Sequence, residues 1–278
     1  MNLPVPTERE QSVSTRLGAL RVRIIGSGTT AVFWPSMFVD SSTWDTLLPH
    51  LDGERRFVLV DGPGLGLSDP LLRRSNIDEA ADAAADLLAG LNITDPVDWV
   101  GNAFGGHVGY KLAARPGLLR SLVAISSPVE PISAQIRAQI NVLLPLLRVA
   151  GPVGPVRSAV ISAMLTDAAA RDERIRRVVV ESLGRPSRRS LTNALRSFIL
   201  DRLDVTNELS AIGVPCLYIA SDDRGDWSPE EAIRAASRTP VAEAVTVPQA
   251  RTLIPLEQPA LVAAHVNQFW TRSNYAGS

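Results

Sequence analysis

The sequence predicts an α/β fold in which a mostly parallel central sheet carries helices on both faces and a helical insertion. Short β-type runs alternate with helical runs over most of the 278 residues, as in sheets built from strand–helix units. The strand runs are apolar enough for burial on both faces. The alternation stops between residues 131 and 207, where the pattern is helical throughout.

Each predicted strand is a short apolar run bounded by turn residues. These runs cover residues 20–25, 31–34, 57–61, 97–101, 119–126, 215–220 and 244–247. Two helix starts are clear. Asn76 precedes an alanine-rich run that ends at Gly90, and Ser228 precedes a proline and two glutamates, which is typical of a capped N-terminus.

The helical stretch is interpreted as an insertion between two strands of one sheet. Residues 1–130 and 208–278 would then form a discontinuous core domain, and residues 131–207 a cap or lid.

Composition excludes several classes of function. The 28 basic and 29 acidic residues nearly cancel, so no overall charge attracts nucleic acid or a membrane surface. The longest apolar window, residues 140–156, is interrupted by Pro145 and Arg148 and is not expected to span a bilayer. The lone Cys216 suits a reducing compartment, and we expect a cytoplasmic protein. No metal cluster or cofactor fingerprint is evident, so no metal and no cofactor are expected; a homodimer is possible.

The segment VGNAFGGH, residues 100–107, follows a predicted strand and opens a helix. Its glycine spacing is that of a nucleophile elbow, a sharp strand-to-helix turn that presents its central side chain above the sheet. The central residue here is Ala103, flanked by Asn102 and Phe104.

With its neighbouring motifs, the chain resembles the α/β-hydrolase superfamily over almost its whole length. The motifs are DSSTWDTLLPHL at residues 40–51, DGPGLGLSD at 61–69, VPCLYIASDD at 214–223 and IPLEQPALVAAHVNQFW at 254–270. The resemblance implies an acid after the strand at 215–220, filled by Asp223 with Asp222 and Asp226 as alternatives. It also implies that Ala103 occupies the nucleophile position and Thr252 the histidine position, so the triad is degenerate.

Loss of both residues argues against ordinary serine hydrolysis. Losing either the serine or the histidine costs roughly 10⁶ in turnover in a well-studied protease. His50, His107 and His265 lie on helices, not on the loop expected to face the elbow, and are interpreted as structural or exposed.

Backbone groups survive such a loss. The resemblance implies an oxyanion hole formed by the N–H of Phe104 and that of Met37 or Phe38, although Ser36 replaces the usual glycine there. We expect Trp34, Ser36, Phe38, Asn102 and Trp227 to contact a small hydrophobic molecule. Asp223 is either a desolvated acid–base group near Trp227 or an ion-pair partner of Arg251 or Arg224.

The sequence therefore leaves three functions open. The favoured one is a non-covalent, cofactor-independent enzyme that performs proton transfer, elimination or cyclisation on a small apolar carbonyl compound, using an oxyanion hole and Asp223. The alternatives are a non-catalytic ligand-binding relative, and a weak ester or lactone hydrolase in which Asp223 directs water.

Overall fold

The computed structural model describes residues 8–223 and 225–275 and confirms the predicted fold class. One eight-stranded sheet has the order β1-β2-β4-β3-β5-β6-β7-β8. β1 and β2 pair antiparallel, as do β2 and β4, and the remaining pairs are parallel. The strands are β1 (Glu8–Thr15), β2 (Gly18–Ile25), β3 (Thr29–Trp34), β4 (Arg55–Val60), β5 (Val97–Asn102), β6 (Leu119–Ile125), β7 (Cys216–Ser221) and β8 (Ala242–Val247).

Helices cover both faces of the sheet. The α-helices are α1 (Ile77–Gly90), α2 (Phe104–Ala113), α3 (Ala134–Ala150), α4 (Gly154–Met164), α5 (Glu173–Gly184), α6 (Arg188–Leu195), α7 (Pro229–Arg238), α8 (Ile254–Glu257) and α9 (Pro259–Tyr275). Both predicted caps are confirmed: the Asn76 side chain accepts from the Glu79 N–H at 2.8 Å, and Ser228 and Glu231 form a capping box.

The central strands separate two apolar clusters. In β5, Val97 and Trp99 belong to one cluster and Val100 to the other. This division follows from the alternation of side chains along a strand. Because both faces are buried, the strand reads as a nearly continuous apolar run, which explains why the sequence identified it.

The one strand that the sequence analysis missed is β1. Its sequence, EREQSVST, is polar, and among its residues only Val13 is buried. It lies at the sheet edge, where pairing with β2 is made by backbone groups and requires no apolar pattern.

Four helices, α3 to α6, lie between β6 and β7 in the chain. We call them the inserted helices. A π-helical turn, Arg196–Leu200, follows α6 and leads back toward β7.

The turn between β5 and α2 depends on two close approaches of backbone. A Cβ atom on Gly101 would lie 2.2 Å from the carbonyl carbon of Gly105, and one on Gly105 would lie 2.0 Å from the carbonyl oxygen of Trp34. Neither approach tolerates a side chain, because the opposing atoms are backbone. The glycines therefore fix how closely α2 packs on β3 and β5.

This packing predicts that Gly105→Ala lowers the free energy of unfolding by at least about 2 kcal/mol, the scale of overpacking in a rigid core. Gly184→Ala is the matched control, because a Cβ there meets no atom within 4 Å; its stability should be unchanged or slightly raised. Chemical denaturation of the two variants measures the difference, and equal stabilities would contradict the argument.

Candidate functional site

The elbow keeps the backbone conformation of its turn with alanine at the centre. Ala103 has φ 46° and ψ −103°, a region that L-residues rarely occupy and that costs on the order of 1–3 kcal/mol. Its N–H donates to the Ile125 carbonyl at 2.8 Å, and its own carbonyl accepts from the N–H groups of Gly106 and His107 at 2.9 and 3.1 Å. The turn is thus held by backbone bonds on both sides.

A cavity of about 590 Å³ lies against this turn. Ala103, Ser36, Met37, Phe38 and Phe104 line it from the core, and the inserted helices line it with mostly apolar side chains. Those apolar contributions come chiefly from Ile136, Ile140, Leu143, Leu144, Leu147, Val156, Val160, Leu191 and Leu195. The cavity has the size and the apolar character typical of small-molecule sites.

Three backbone N–H groups at the cavity have no acceptor in the described part of the chain. They belong to Met37 and Phe38, in the loop after β3, and to Phe104, the first residue of α2. All three residues line the cavity. The Phe104 N–H also lies at the positive end of the α2 dipole, which favours an oxygen atom that carries negative charge.

Aromatic contacts hold Phe104 in place. Its ring stacks on Phe198 of the π-helical turn, with centroids 4.4 Å apart, and meets the edge of Trp34 at 6.1 Å. Trp34 in turn stacks on Trp99 at 5.5 Å and is fully buried. Trp34 therefore supports Phe104 from behind and does not itself line the cavity.

Trp227 also lies in the core. Its ring packs against Tyr218 with centroids 5.8 Å apart, and it is 1% exposed. It is not among the residues that line the cavity.

The candidate acid Asp223 is bound by an arginine. Its Oδ2 accepts from Nε and Nη2 of Arg251 at 3.2 and 2.9 Å. Arg251 lines the cavity, whereas Asp223 does not. The alternative partner, Arg224, lies outside the described residues. Of the two register alternatives, Asp222 accepts from the Gln249 N–H at 2.9 Å, and Asp226 lines the cavity.

Arg251 also connects the core to the inserted helices. It donates to the Ser162 carbonyl, and its Nη2 lies 3.5 Å from a carboxylate oxygen of Asp167. Its backbone N–H donates to Glu257 at 3.0 Å, and Glu257 also accepts from the N–H and hydroxyl of Thr166. Burial raises the pKa of Glu257, and these hydrogen bonds oppose that shift.

Thr252, at the histidine position, is bonded on both of its polar sides. Its hydroxyl donates to the Ala163 carbonyl at 3.0 Å, and its own carbonyl accepts from the Asn102 side chain at 2.9 Å. Asn102 also donates to the Ile125 carbonyl at 3.0 Å. Asn102 thus ties the elbow to the Thr252 loop and is not a lining residue.

His107 and Arg202 give one part of the cavity a polar lining. His107 Nε2 lies 2.8 Å from the Pro128 carbonyl, so Nε2 carries the hydrogen and Nδ1 keeps its lone pair. Arg202 Nη1 donates to Asp226 at 2.6 Å. His107 Nδ1 and Arg202 Nε are both buried and have no partner within the described residues.

Sequence reasoning missed Arg202 and treated His107 as structural or exposed. His107 lies four residues after Ala103, and this spacing places both side chains on one face of a helix. The spacing alone could therefore have predicted that His107 lines the same cavity as Ala103. Arg202 carries no local signal, because its partner Asp226 lies on a different loop.

The described residues contain neither a metal-binding cluster nor a membrane-spanning helix. No three His, Cys, Asp or Glu side chains converge in a way that could hold a metal ion. None of the described helices combines the length and the apolarity needed to cross a lipid bilayer.

Comparison with known proteins identifies the family. The profile of the Alpha/beta hydrolase family matches residues 31–265. The chain belongs to this family. No curated protein matches the sequence.

Solved structures of similar fold are distant in sequence. A thermophilic esterase from Thermogutta terrifontis shares 22% identity, with 95% of this chain and 99% of that chain covered and a TM-score of 0.84. The enol-lactonase from Burkholderia xenovorans shares 19%, covering 94% and 100%, with a TM-score of 0.85. A hydrolase from Pseudomonas aeruginosa shares 20%, covering 94% and 98%, with a TM-score of 0.83. At these identities the likeness is one of fold.

The environment of His107 makes a prediction about pH. Burial, followed by the nearby positive charge of Arg202, lowers the pKa of His107 from 6.5 to about 3. Because the folded pKa lies below the unfolded one, the neutral imidazole stabilises the fold above pH 6.5. This contribution is lost as the pH falls toward the folded value, since only the unfolded chain takes up the proton.

His107→Gln should therefore be less stable than the parent at pH 8, where a hydrogen bond and packing are lost. The difference should narrow by roughly 1 kcal/mol between pH 6 and pH 5, where the histidine is mostly protonated in the unfolded chain and still neutral in the folded one. Urea denaturation at the three pH values measures both quantities. A pH-independent difference would show that His107 titrates normally in the folded protein.

Proposed function

We propose that the protein binds a small apolar carbonyl compound in the cavity and acts on it without a covalent intermediate and without a cofactor. The observation that supports this is the set of backbone donors at Met37, Phe38 and Phe104, which have no acceptor in the described chain and belong to residues that line an apolar cavity. A carbonyl oxygen is a group that satisfies such donors while the rest of the molecule contacts apolar side chains.

The reaction class follows from what the donors stabilise. When a proton leaves the carbon beside a carbonyl, negative charge collects on the oxygen. The three N–H groups and the positive end of the α2 dipole stabilise that charge, and one such donor is worth about 10²–10³ in turnover in a serine protease. Proton transfer, elimination and cyclisation that begin with loss of a proton beside a carbonyl pass through such an enolate-like state.

Two carboxylates are candidates for the proton acceptor. Asp223 is the first candidate from the chain pattern, but it contacts Arg251 and does not line the cavity. It reaches a ligand only if this ion pair opens. Asp226 lines the cavity directly, with one oxygen on Arg202. A base must come within about 3 Å of the proton it removes. Asp226 meets this requirement from its place in the cavity lining, and Asp223 meets it only after its ion pair opens.

Covalent hydrolysis is poorly supported by the same geometry. The methyl group of Ala103 occupies the elbow, and the Thr252 hydroxyl donates to the Ala163 carbonyl and to no histidine of the described chain. What remains after such losses is about 10³–10⁴ over the reaction in water.

Two alternatives each have one supporting observation. A non-catalytic binding protein is favoured by the arginine partners of Asp223 and Asp226, since these pairs give both carboxylates a structural purpose. Weak ester or lactone hydrolysis through directed water is favoured by the fold likeness to an esterase and an enol-lactonase.

Exchange of hydrogen for deuterium beside a carbonyl tests the enzymatic proposal without knowledge of the product. With 2-nonanone in D₂O, the parent protein should accelerate exchange measured by NMR. Asp223→Asn or Asp226→Asn should lower the rate by about 100-fold, the lower end of the range for general base catalysis.

Asp222→Asn is the matched control, because its carboxylate lies on the same loop and is exposed. Binding of the ketone without accelerated exchange would favour the binding protein. Exchange that survives both substitutions would remove these carboxylates from the mechanism.

Labelling by a serine-reactive fluorophosphonate distinguishes covalent hydrolysis from both the non-covalent enzyme and the binding protein. The parent protein should not be labelled, because Ala103 offers no nucleophile. The double variant Ala103→Ser, Thr252→His should be labelled and should hydrolyse p-nitrophenyl butyrate faster than either single variant. Labelling of the parent at Ser36 or Ser126, two hydroxyl residues that line the cavity, would refute the proposal of a non-covalent site.

A further inference from the structure

The cavity has a second polar region besides the elbow donors. Arg202 and His107 line it, and both are at least nine-tenths buried. The lining of the same cavity is mostly apolar and includes Ile132, Leu195 and Ile199. A buried guanidinium and a buried imidazole are costly in such surroundings unless hydrogen bonds offset their desolvation.

Arg202 is incompletely bonded by the protein. Nη1 donates to Asp226, whereas Nε is buried and has no acceptor within the described residues. Leaving a buried donor unpaired costs about 1–3 kcal/mol. An oxygen atom of a ligand would recover this energy, and a carboxylate is the group that best matches the fork of N–H donors on an arginine.

His107 contributes a complementary group. The Pro128 carbonyl holds the hydrogen on Nε2, and Nδ1 is an acceptor without a donor in the described chain. This nitrogen can accept a hydrogen bond from a hydroxyl group or from a water molecule that bridges to an anion. The neutral imidazole adds no positive charge, so Arg202 supplies the charge in this region.

Arg202 supplies the cationic charge of this region. Among the ionisable lining residues of the described chain, Arg251 is paired with Asp223 and Asp167, Arg202 is paired with Asp226, and His107 is neutral. Asp226 is partly exposed, with 35% of its side chain open. Its exposure to water weakens its ability to neutralise Arg202. The positive charge of Arg202 is still felt at His107, since it lowers the pKa of that residue.

We infer that Arg202 and His107 form a second oxygen-binding subsite, which takes a carboxylate on the same ligand whose carbonyl group lies at the elbow. His107 lies one helical turn beyond Ala103, about 6 Å along the α2 axis. The two oxygen groups therefore lie on separate parts of the ligand. This inference rests on the proposed function and defines its substrate class as apolar oxo acids or half esters of dicarboxylic acids.

A matched pair of probes tests the subsite. Monomethyl suberate carries one carboxylate and one ester carbonyl, and dimethyl suberate has nearly the same size without the charge. Calorimetric titration of the parent protein should show at least tenfold tighter binding of the monoester. Arg202→Met should abolish this preference by weakening monoester binding while leaving diester binding within about twofold.

Two further variants separate the subsite from a structural role. Arg148→Met makes the same change at an exposed arginine of α3 and should keep the preference. Asp226→Asn removes the competing carboxylate and should tighten monoester binding by fivefold or more; a merely structural ion pair predicts no gain. If Arg202→Met does not fold, Asp226→Asn decides the question.

The outcomes distinguish the two proposals. If neither ester binds the parent protein, the proposed function fails. If both bind with equal affinity, or if Asp226→Asn brings no gain, the cavity binds carbonyl compounds but the carboxylate subsite is refuted.

Discussion

The close contact between α2 and the strands beneath it is the constraint on which the site depends. The absence of side chains at Gly101 and Gly105 lets backbone touch backbone, and Trp34 supplies the opposing carbonyl. The side chain of the central residue, Ala103, takes no part in this contact. Ala103 can therefore hold a positive φ without a reactive side chain, and the N–H of Phe104 keeps its position. The geometry of this turn is therefore fixed by backbone contacts and not by the side chain at its centre.

The residues around the turn serve a different purpose from the one their chain positions imply. Arg251 joins Asp223 to the Ser162 carbonyl, and Thr252 donates to Ala163, so the two loops that face the elbow are bonded to α4. In a hydrolase these loops must leave an imidazole free to exchange protons. Here their polar groups connect the core to the inserted helices. These hydrogen bonds give the two loops a structural role in joining the core to α4.

The sequence predicted the fold and the elbow because both depend on local patterns. Buried strands such as β5 read as apolar runs, and the elbow glycines have a fixed spacing. The pattern missed β1, whose pairing is made by backbone groups. It placed Trp34 and Trp227 at the ligand because aromatic residues near an elbow suit either core or cavity, and the structure buries both in the core. The role of Arg202 could not be predicted from the sequence, because its ion-pair partner, Asp226, is brought to it only by the tertiary fold.

The inserted helices differ in how firmly they are tied to the core. Ser190 of α6 donates to the Gly64 carbonyl at 2.8 Å and accepts from the Leu71 N–H at 2.9 Å. In the described chain, the side-chain hydrogen bonds of α3 to other elements reach only α6 and the π-helical turn. Arg137 of α3 donates to the Leu200 carbonyl, and Arg188 of α6 donates to the Val149 carbonyl. A movement of α3 would therefore break no side-chain hydrogen bond with residues outside the inserted helices and the π-helical turn, whereas a movement of α6 would break those to Gly64 and Leu71. Because Phe198, just after α6, stacks on Phe104, the aromatic contact that supports the elbow belongs to the part of the insertion that is hydrogen-bonded to the core.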